Sequence, residues 1–297
     1  NKAKYYKIEQ AKTIKARYIP MNHLKPAEIL ETLTETGVGK ANGSFIHLFT
    51  LGIMAGAYIA FAGAASNMAA FNLLLDDSSY GLGRVLAATV FTGGLILVTL
   101  AGAELFTGNS LMTIALAGKR ITLTQMIRNW AIVYIANLMG SIIIAFLIFN
   151  TGIFSSGGDM LGTLTVKTGA AKVSMTFLQC FLSGILCNWL VCLAVWCTAG
   201  ASSTAGKAAA AFFPIWLFAT GGYEHCVANM YFIPAAIFAS SNGTFAALSG
   251  AGPEALSNLT WQGMFLGNIL PVTLGNLSGG IIFVAMGYWI AIKGGRG

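Results

Sequence analysis

A short polar pattern interrupts two long apolar segments of this chain. Residues 102–109 read Gly-Ala-Glu-Leu-Phe-Thr-Gly-Asn and residues 222–229 read Gly-Tyr-Glu-His-Cys-Val-Ala-Asn, so both fit G-x-E-x4-N. A carboxylate inside an apolar segment is costly and marks a candidate functional site. Two matched interruptions in the two halves of a chain indicate a substrate site between inverted repeats.

The apolar content predicts an all-α membrane protein. Of the 297 residues, 56% are hydrophobic and 9% are charged, whereas a soluble domain carries about 25% charged residues. Because about 20 apolar residues span a bilayer, the second and fifth apolar segments are too long for one span. Each contains the polar pattern, so each is predicted to be two half-helices joined by a break. The six predicted spans are 45–70, 84–117, 130–149, 174–198, 208–239 and 264–292.

Two regions are predicted along the chain. Residues 1–42 form a basic cytoplasmic tail that ends in a short amphipathic helix from Pro26, and residues 43–297 form a six-helix transmembrane domain. The stretches 150–172 and 240–262 are rich in Gly, Ser, Asn and Thr and are predicted to be loops. Neither a cleavable signal peptide nor an appended soluble domain is expected.

Basic residues concentrate on one side of the predicted spans. Six spans place both termini on the same side, which holds 14 of the 17 Lys and Arg residues; Arg84, Lys167 and Lys172 lie on the other. The positive-inside rule therefore predicts cytoplasmic termini. The net charge of +7 indicates contact with anionic lipid. No nucleic acid is expected as a partner, because no basic patch interleaved with aromatic residues follows the tail.

No metal, cofactor or disulfide is expected. The five cysteines show no CxxC spacing and lie in apolar sequence, where they serve most simply as small packing residues. They are Cys180, Cys187, Cys192, Cys197 and Cys226.

Further matches extend the repeat. Asn129-x7-Asn137-x2-Gly140 begins the third predicted span, and Asn268-x7-Asn276-x2-Gly279 begins the sixth. Gly-Ile-Met at 52–54 is similar to Gly-Ile-Leu at 184–186. Spans 1–3 therefore match spans 4–6 in order, with approximate repeats 43–150 and 173–293. Because three is odd, the halves enter the membrane in opposite directions, and broken helices 2 and 5 face each other.

These motifs together resemble the formate/nitrite transporter family over about residues 26–289. The resemblance rests on four segments: Gly-Ala-Glu-Leu-Phe-Thr at 102–107, Asn-Trp-Leu-Val-Cys-Leu-Ala-Val-Trp at 188–196, the 222–230 motif and 268–280. It implies a homopentamer of aquaporin-like protomers in a bacterial cell membrane, each with its own channel. The implied substrates are small monovalent anions: formate, nitrite, hydrosulfide, acetate or lactate. One departure is Glu104, where members often carry Asp; another is the basic extension over the first 25 residues.

His225 is the central candidate in the expected pathway. An imidazole can donate a hydrogen bond to an anion or transfer a proton near neutral pH, so transient protonation of the anion and pH gating are both open. Glu224 is either a proton acceptor or, more simply, an acceptor for backbone N–H groups freed by the break. Glu104 is expected to play the same structural part, and Asn109 and Asn229 are expected to support the two breaks.

Each of the other polar pathway residues has either a pathway role or a structural role. Thr107 could bond the anion or His225, or could cap the half-helix that begins at Gly108. The resemblance matches Lys172 and Asn188 to pore-lining positions. Alternatively, Lys172 is an interfacial anchor and Asn188 joins helices by hydrogen bonds.

The resemblance also matches five apolar residues to constrictions around the histidine. Two apolar layers would block hydrated ions unless the charge were compensated. These residues are Phe91, Leu95, Leu105, Phe106 and Phe218.

The expected function is passage of small anions together with protons, and channel and proton symport both remain open. The alternative is an aquaporin-like channel for neutral solutes, but that class carries Asn-Pro-Ala motifs and the chain contains no Asn-Pro. An enzyme is not expected, because one deep histidine and two separated glutamates form neither a metal cluster nor an acid–base pair.

Overall fold

The computed structural model describes residues 23–294 and is helical throughout that range. Residues 1–22 of the basic extension, and Arg296, lie outside the described residues. The helices are α1 Pro26–Ala41, α2 Phe45–Leu75, α3 Tyr80–Ala101, α4 Thr113–Ala117, α5 Leu123–Asn150, α6 Met160–Val173, α7 Phe177–Gly200, α8 Thr204–Gly221, α9 Cys226–Ala239, α10 Gly243–Leu248, α11 Pro253–Ser257 and α12 Gly263–Lys293. Short 3₁₀ segments cover Gly108–Met112 and Ile153–Ser155, and α12 widens over Gly263–Ile269 and Gly279–Met286.

Five of these helices are long and apolar enough to cross a membrane: α2, α3, α5, α7 and α12. Two shorter apolar helical segments, Gly108–Ala117 and Cys226–Ala239, follow the two polar patterns. Large apolar side chains such as Ile46, Leu178 and Ile290 are more than 60% exposed, as expected for helix faces in contact with lipid. The chain is a multi-pass membrane protein.

The glycine that opens each polar pattern ends a helix. Gly102 terminates α3 with φ +78°, and Gly222 terminates α8 with φ +76°. A side chain is strained in this left-handed conformation, which is why glycine is favoured one position beyond a helix. The non-helical residues that follow carry Glu104 and Glu224.

The prediction of loops over 150–172 and 240–262 is wrong in large part. Residues 160–173 form α6, and two short helices occupy much of 240–262. Small and hydroxyl residues indicated a loop, yet Leu161, Leu164 and Val166 are at most 5% exposed. Burial of one face outweighs the weak helix propensity of the neighbouring glycine and threonine residues.

Small residues allow two pairs of helices to pack closely. A side chain on Gly56 of α2 would collide with the Asn137 carbonyl of α5, and one on Gly279 of α12 would collide with the Ile185 carbonyl of α7. Such close backbone approach is typical of membrane helices. The predicted helix from Pro26 is present as α1, and it buries Ile29 on the body of the protein.

Candidate functional site

The first polar loop is held by a network of four side chains. Lys40 Nζ donates to Glu104 Oε1 at 2.7 Å, and Asn109 Nδ2 donates to Glu104 Oε2 at 2.8 Å. The same Asn109 amide donates to Asn129 Oδ1 at 2.9 Å, and Asn129 Nδ2 donates to the Lys40 carbonyl at 3.1 Å. The ring of bonds joins the end of α1, the loop and the start of α5.

The second loop repeats this network bond for bond. Lys172 Nζ donates to Glu224 Oε1 at 2.7 Å, and Asn229 Nδ2 donates to Glu224 Oε2 at 2.6 Å. Asn229 also donates to Asn268 Oδ1 at 2.7 Å, and Asn268 Nδ2 donates to the Lys172 carbonyl at 3.0 Å. Each member has a counterpart of the same residue type in the first half.

A further asparagine anchors the backbone of each loop. Asn137 Oδ1 accepts from the Phe106 N–H at 2.9 Å, and Asn137 Nδ2 donates to the carbonyls of Gly52 and Glu104. The bonds therefore satisfy backbone groups that the interruption of the helix leaves free. In the second half the same bonds join Asn276 to the Cys226 N–H and to the carbonyls of Gly184 and Glu224.

Both glutamate carboxylates belong to a structural network, and the donors to them are side chains rather than backbone N–H groups. Glu224 was expected to accept backbone N–H bonds, whereas its carboxylate accepts from Lys172, Asn229 and Asn268. The pairing of a nearly buried carboxylate with an ammonium group offsets the cost of removing both charges from water. The Lys172 and Glu224 side chains are 16% and 5% exposed, respectively.

The networks are alike, but the residues they hold in place differ. His225 follows Glu224 as Leu105 follows Glu104, and Thr107 has Val227 as its counterpart. His225 Nε2 lies 2.8 Å from Thr107 Oγ1, and both residues are buried. The Thr107 side chain makes no capping bond, so its hydroxyl contacts His225 rather than the start of the next helix. Each loop thus contributes one polar residue where the other carries an apolar one.

The other imidazole nitrogen is also engaged. The Ala228 N–H donates to His225 Nδ1 at 3.0 Å, so the imidazole caps the start of α9. An accepting Nδ1 assigns the ring proton of a neutral imidazole to Nε2, which then donates to Thr107 Oγ1. The Thr107 hydroxyl hydrogen is left available for another acceptor.

Open cavities lie on both sides of this contact. The His225 cavity, about 120 Å³, is lined by His225, Lys172, Arg84, Phe91 and Phe218 among others. It adjoins the Lys167 cavity, about 520 Å³, because Arg84 and Lys172 line both. The separate Lys40 cavity, about 540 Å³, is lined by Lys40, Leu95 and Leu105 among others. Each of these three cavities is therefore lined by at least one lysine.

Four of the five predicted constriction residues line these cavities. Phe91 packs edge-on against Phe218, with ring centroids 5.8 Å apart, and Phe218 lies 6.0 Å from the His225 ring. Leu95 and Leu105 line the other side. The structure places the fifth elsewhere: Phe106 packs against Tyr134 and Trp130 and lines none of these cavities.

Asn188 joins segments of the protein interior. Its Nδ2 donates to the Thr107 carbonyl at 3.2 Å and to the Asn276 carbonyl at 2.7 Å. It lines none of the three cavities. The geometry favours the helix-joining reading for Asn188, and the bond to Glu224 gives Lys172 a specific partner.

Sequence reasoning assigned no role to several residues of the site. The sequence indicates Lys40 only as part of the basic tail, and it indicates Arg84 only as a basic residue on the side opposite the termini. The guanidinium of Arg84 donates to the Ala219 and Thr220 carbonyls at the end of α8. The asparagines were visible as a repeated spacing, which is the signal that could have revealed their role: Asn129, Asn137, Asn268 and Asn276.

Metal binding has no support in residues 23–294, where no cluster of three or more His, Cys, Asp or Glu side chains occurs. The five cysteines are free and, except for the half-buried Cys197, buried.

The apolar helices and the polar loops buried between them define a multi-pass membrane protein of the transport class. Residues 27–290 match the model of the Formate/nitrite transporter family. The chain belongs to that family, which confirms the resemblance inferred from its motifs.

Relatives match most of the chain. It is 40% identical over 269 residues to the Uncharacterized transporter YrhG of Bacillus subtilis, covering 90% of this chain and 93% of that protein. It is 36% identical over 265 residues to the Formate channel FocA of Haemophilus influenzae, covering 89% and 93%, respectively. A solved pentameric formate channel with formate bound matches with a TM-score of 0.74 and 36% identity, covering 84% of this chain and 98% of that chain.

Proposed function

We propose that small monovalent anions such as formate cross the membrane through this protein. The named formate channels among its relatives support this substrate class, and the pentameric neighbour supports a homopentamer with one pathway in each protomer. The protein acts as a transport protein and not as an enzyme.

The proposed membrane arrangement has six spans, with α3–α4 and α8–α9 as the broken second and fifth. The matched bonds of Glu104 and Glu224 support an inverted repeat and an aquaporin-like protomer. Because Lys40 ends α1 and Lys172 ends α6, we include these helices, so the repeats cover about 26–150 and 160–293. The concentration of basic residues on the side of the termini supports a cytoplasmic location for both. The bacterial relatives support a bacterial cell membrane as the proposed location.

The buried contact between Thr107 and His225 carries the proposal. It lies between the His225 cavity and the Lys40 cavity, each with its own lysine. Glu104 and Glu224 balance the charges of the two lysines. By contrast, Arg84 and Lys167 form none of the ion pairs of residues 23–294 and raise the local concentration of an anion on the His225 side. The Thr107 hydroxyl and the His225 Nε2–H can then replace part of the water that the anion loses between the apolar layers. A channel for neutral solutes needs no such cations.

His225 acts in this proposal as a hydrogen-bond donor and gate. A neutral imidazole that gave its Nε2 proton to the anion would become an imidazolate, which is unfavourable near neutral pH. A prior proton on Nδ1 would have to displace the bond from the Ala228 N–H. Transient protonation of the anion through His225 therefore requires α9 to lose its cap, whereas hydrogen bonding does not.

Flux measurements in proteoliposomes test both the passage of small anions and the hydrogen-bonding role of His225. Formate and hydrosulfide flux is measured between pH 5 and 8 for the wild type, His225→Phe, His225→Asn and the exposed control His23→Asn. We expect His225→Phe to abolish flux. We expect His225→Asn to keep it, because an asparagine amide can accept from the Ala228 N–H and donate to Thr107. Loss of flux in His225→Asn would favour proton transfer, and a wild type without flux would refute the function.

A further inference from the structure

One polar side chain that lines the His225 cavity has no hydrogen-bond partner in the described part of the chain. Asn67 projects from α2, is 7% exposed and lines this cavity. Its side-chain amide makes no hydrogen bond within residues 23–294. The amide atoms of Asn67 are not among the fully buried polar atoms without a partner, so they are open to the cavity, where a water molecule or a ligand can satisfy them.

The donor groups of the other buried polar side chains that line this cavity already have partners within the protein. Ser66 Oγ donates to the Gly63 carbonyl at 2.8 Å. The Asn229 amide donates to Glu224 and Asn268, and His225 uses both ring nitrogens. Asn67 is therefore the buried side chain in this set whose donors are free for a ligand.

Arg84 supplies a second free donor to the same cavity. Its Nε and Nη2 atoms donate to the carbonyls at the end of α8, whereas Nη1 has no partner in the described part of the chain. The charge of Lys172 is balanced by Glu224, but none of the ion pairs of residues 23–294 includes Arg84. The cavity thus combines a neutral amide donor with a cation that lacks a carboxylate partner.

We propose that Asn67 is a specificity-determining residue, whose amide donates to one oxygen of a planar two-oxygen anion held beside Arg84. This inference rests on the proposed function and deepens it by naming the ligand class. A small carboxylate or nitrite offers a second oxygen to the cation while the first accepts from the amide. Hydrosulfide offers one sulfur atom, which is a weaker acceptor, and has no second acceptor atom to present to the cation.

The ratio of formate flux to hydrosulfide flux in proteoliposomes tests this role. Asn67→Leu removes the donors with little change in size, and we expect it to lower the ratio about tenfold through weaker formate binding, equivalent to about 1.4 kcal/mol. Asn67→Gln keeps the amide and should restore part of the ratio. The matched control is Ser66→Ala. Ser66 lines the same cavity, but its hydroxyl already donates to the Gly63 carbonyl, so its removal should leave the ratio unchanged.

Several outcomes would overturn the role of Asn67. They are a ratio within twofold of the wild type in Asn67→Leu, an equal loss for both anions, or an equal fall in Ser66→Ala. If Asn67→Leu does not form a monodisperse oligomer, Asn67→Ala repeats the measurement. A wild type that passes neither anion refutes the proposed function itself, which separates the two failures.

Discussion

His225 occupies in the second loop the position that Leu105 occupies in the first. Each follows a glutamate that accepts from a lysine and an asparagine in the same geometry. The two loops are therefore equivalent in their supports and different in the residue presented to the interior. A symmetric scaffold in this way holds a single imidazole at a position whose counterpart in the other loop is apolar.

The hydroxyl of Thr107 is expected to be essential for flux. Thr107→Val keeps the shape of the side chain but removes the partner of His225 Nε2. We expect formate flux to fall about tenfold, the effect of losing about 1.4 kcal/mol. Thr113→Val is the control, because the Thr113 hydroxyl donates to the Ser110 carbonyl and lines no cavity. Equal flux in both variants would contradict a role for the Thr107–His225 contact.

Removal of either network lysine should destabilise the protein, but to different degrees. Lys172→Met leaves the Glu224 carboxylate, 5% exposed, without its cation, and we expect a loss of about 3 kcal/mol. Lys40→Met should cost less, because the Lys40 and Glu104 side chains are 23% and 9% exposed. Thermal unfolding in detergent measures the order.

A double variant separates charge from packing at this pair. Lys172→Met with Glu224→Gln removes both charges, so most of the lost thermal stability should return. A double variant as unstable as Lys172→Met alone would show that the loss came from packing and not from an unpaired carboxylate.

The asparagine at position 276 is expected to tolerate no change of hydrogen-bond type. Asn276→Asp keeps the acceptor for the Cys226 N–H, but sets a carboxylate against the carbonyls of Gly184 and Glu224. Asn276→Leu removes all three bonds. We expect both variants to lower the unfolding temperature and to lose flux. A stable, active Asn276→Asp would show that the amide donors contribute nothing to holding the loop.

The polar residues of both loops could be predicted from the sequence because their spacing repeats. The glutamate and the first asparagine are five residues apart in both loops, the two later asparagines are eight residues apart in both halves, and His225 is the histidine within the second loop motif. Lys40 could not be recognised in this way. It lies 64 residues from Glu104 in the chain, and only the packing of α1 against the body brings the two together.

The sequence does not predict the helix that carries Lys172, for a different reason. The composition of residues 150–172 is typical of a loop, and burial against α9 and α2, which the sequence does not reveal, makes residues 160–173 helical. The same limit applies to Asn67, since one asparagine in an apolar segment matches no repeat. Its proposed role depends on the position of an unbonded amide at a cavity wall, which the sequence does not reveal.

The charge of Arg84 should govern anion entry in a salt-dependent way. Arg84→Gln removes a cation that lines two cavities, so we expect formate flux to fall several-fold at about 0.01 M salt, where the Debye length is about 30 Å. At about 1 M salt, where it is about 3 Å, the difference should nearly vanish. Arg84→Lys should behave as the wild type. Arg120→Gln, which removes an exposed surface charge, is the control. A salt-independent loss in Arg84→Gln would contradict long-range attraction and assign Arg84 a local role, either in holding the end of α8 or in direct contact with the anion.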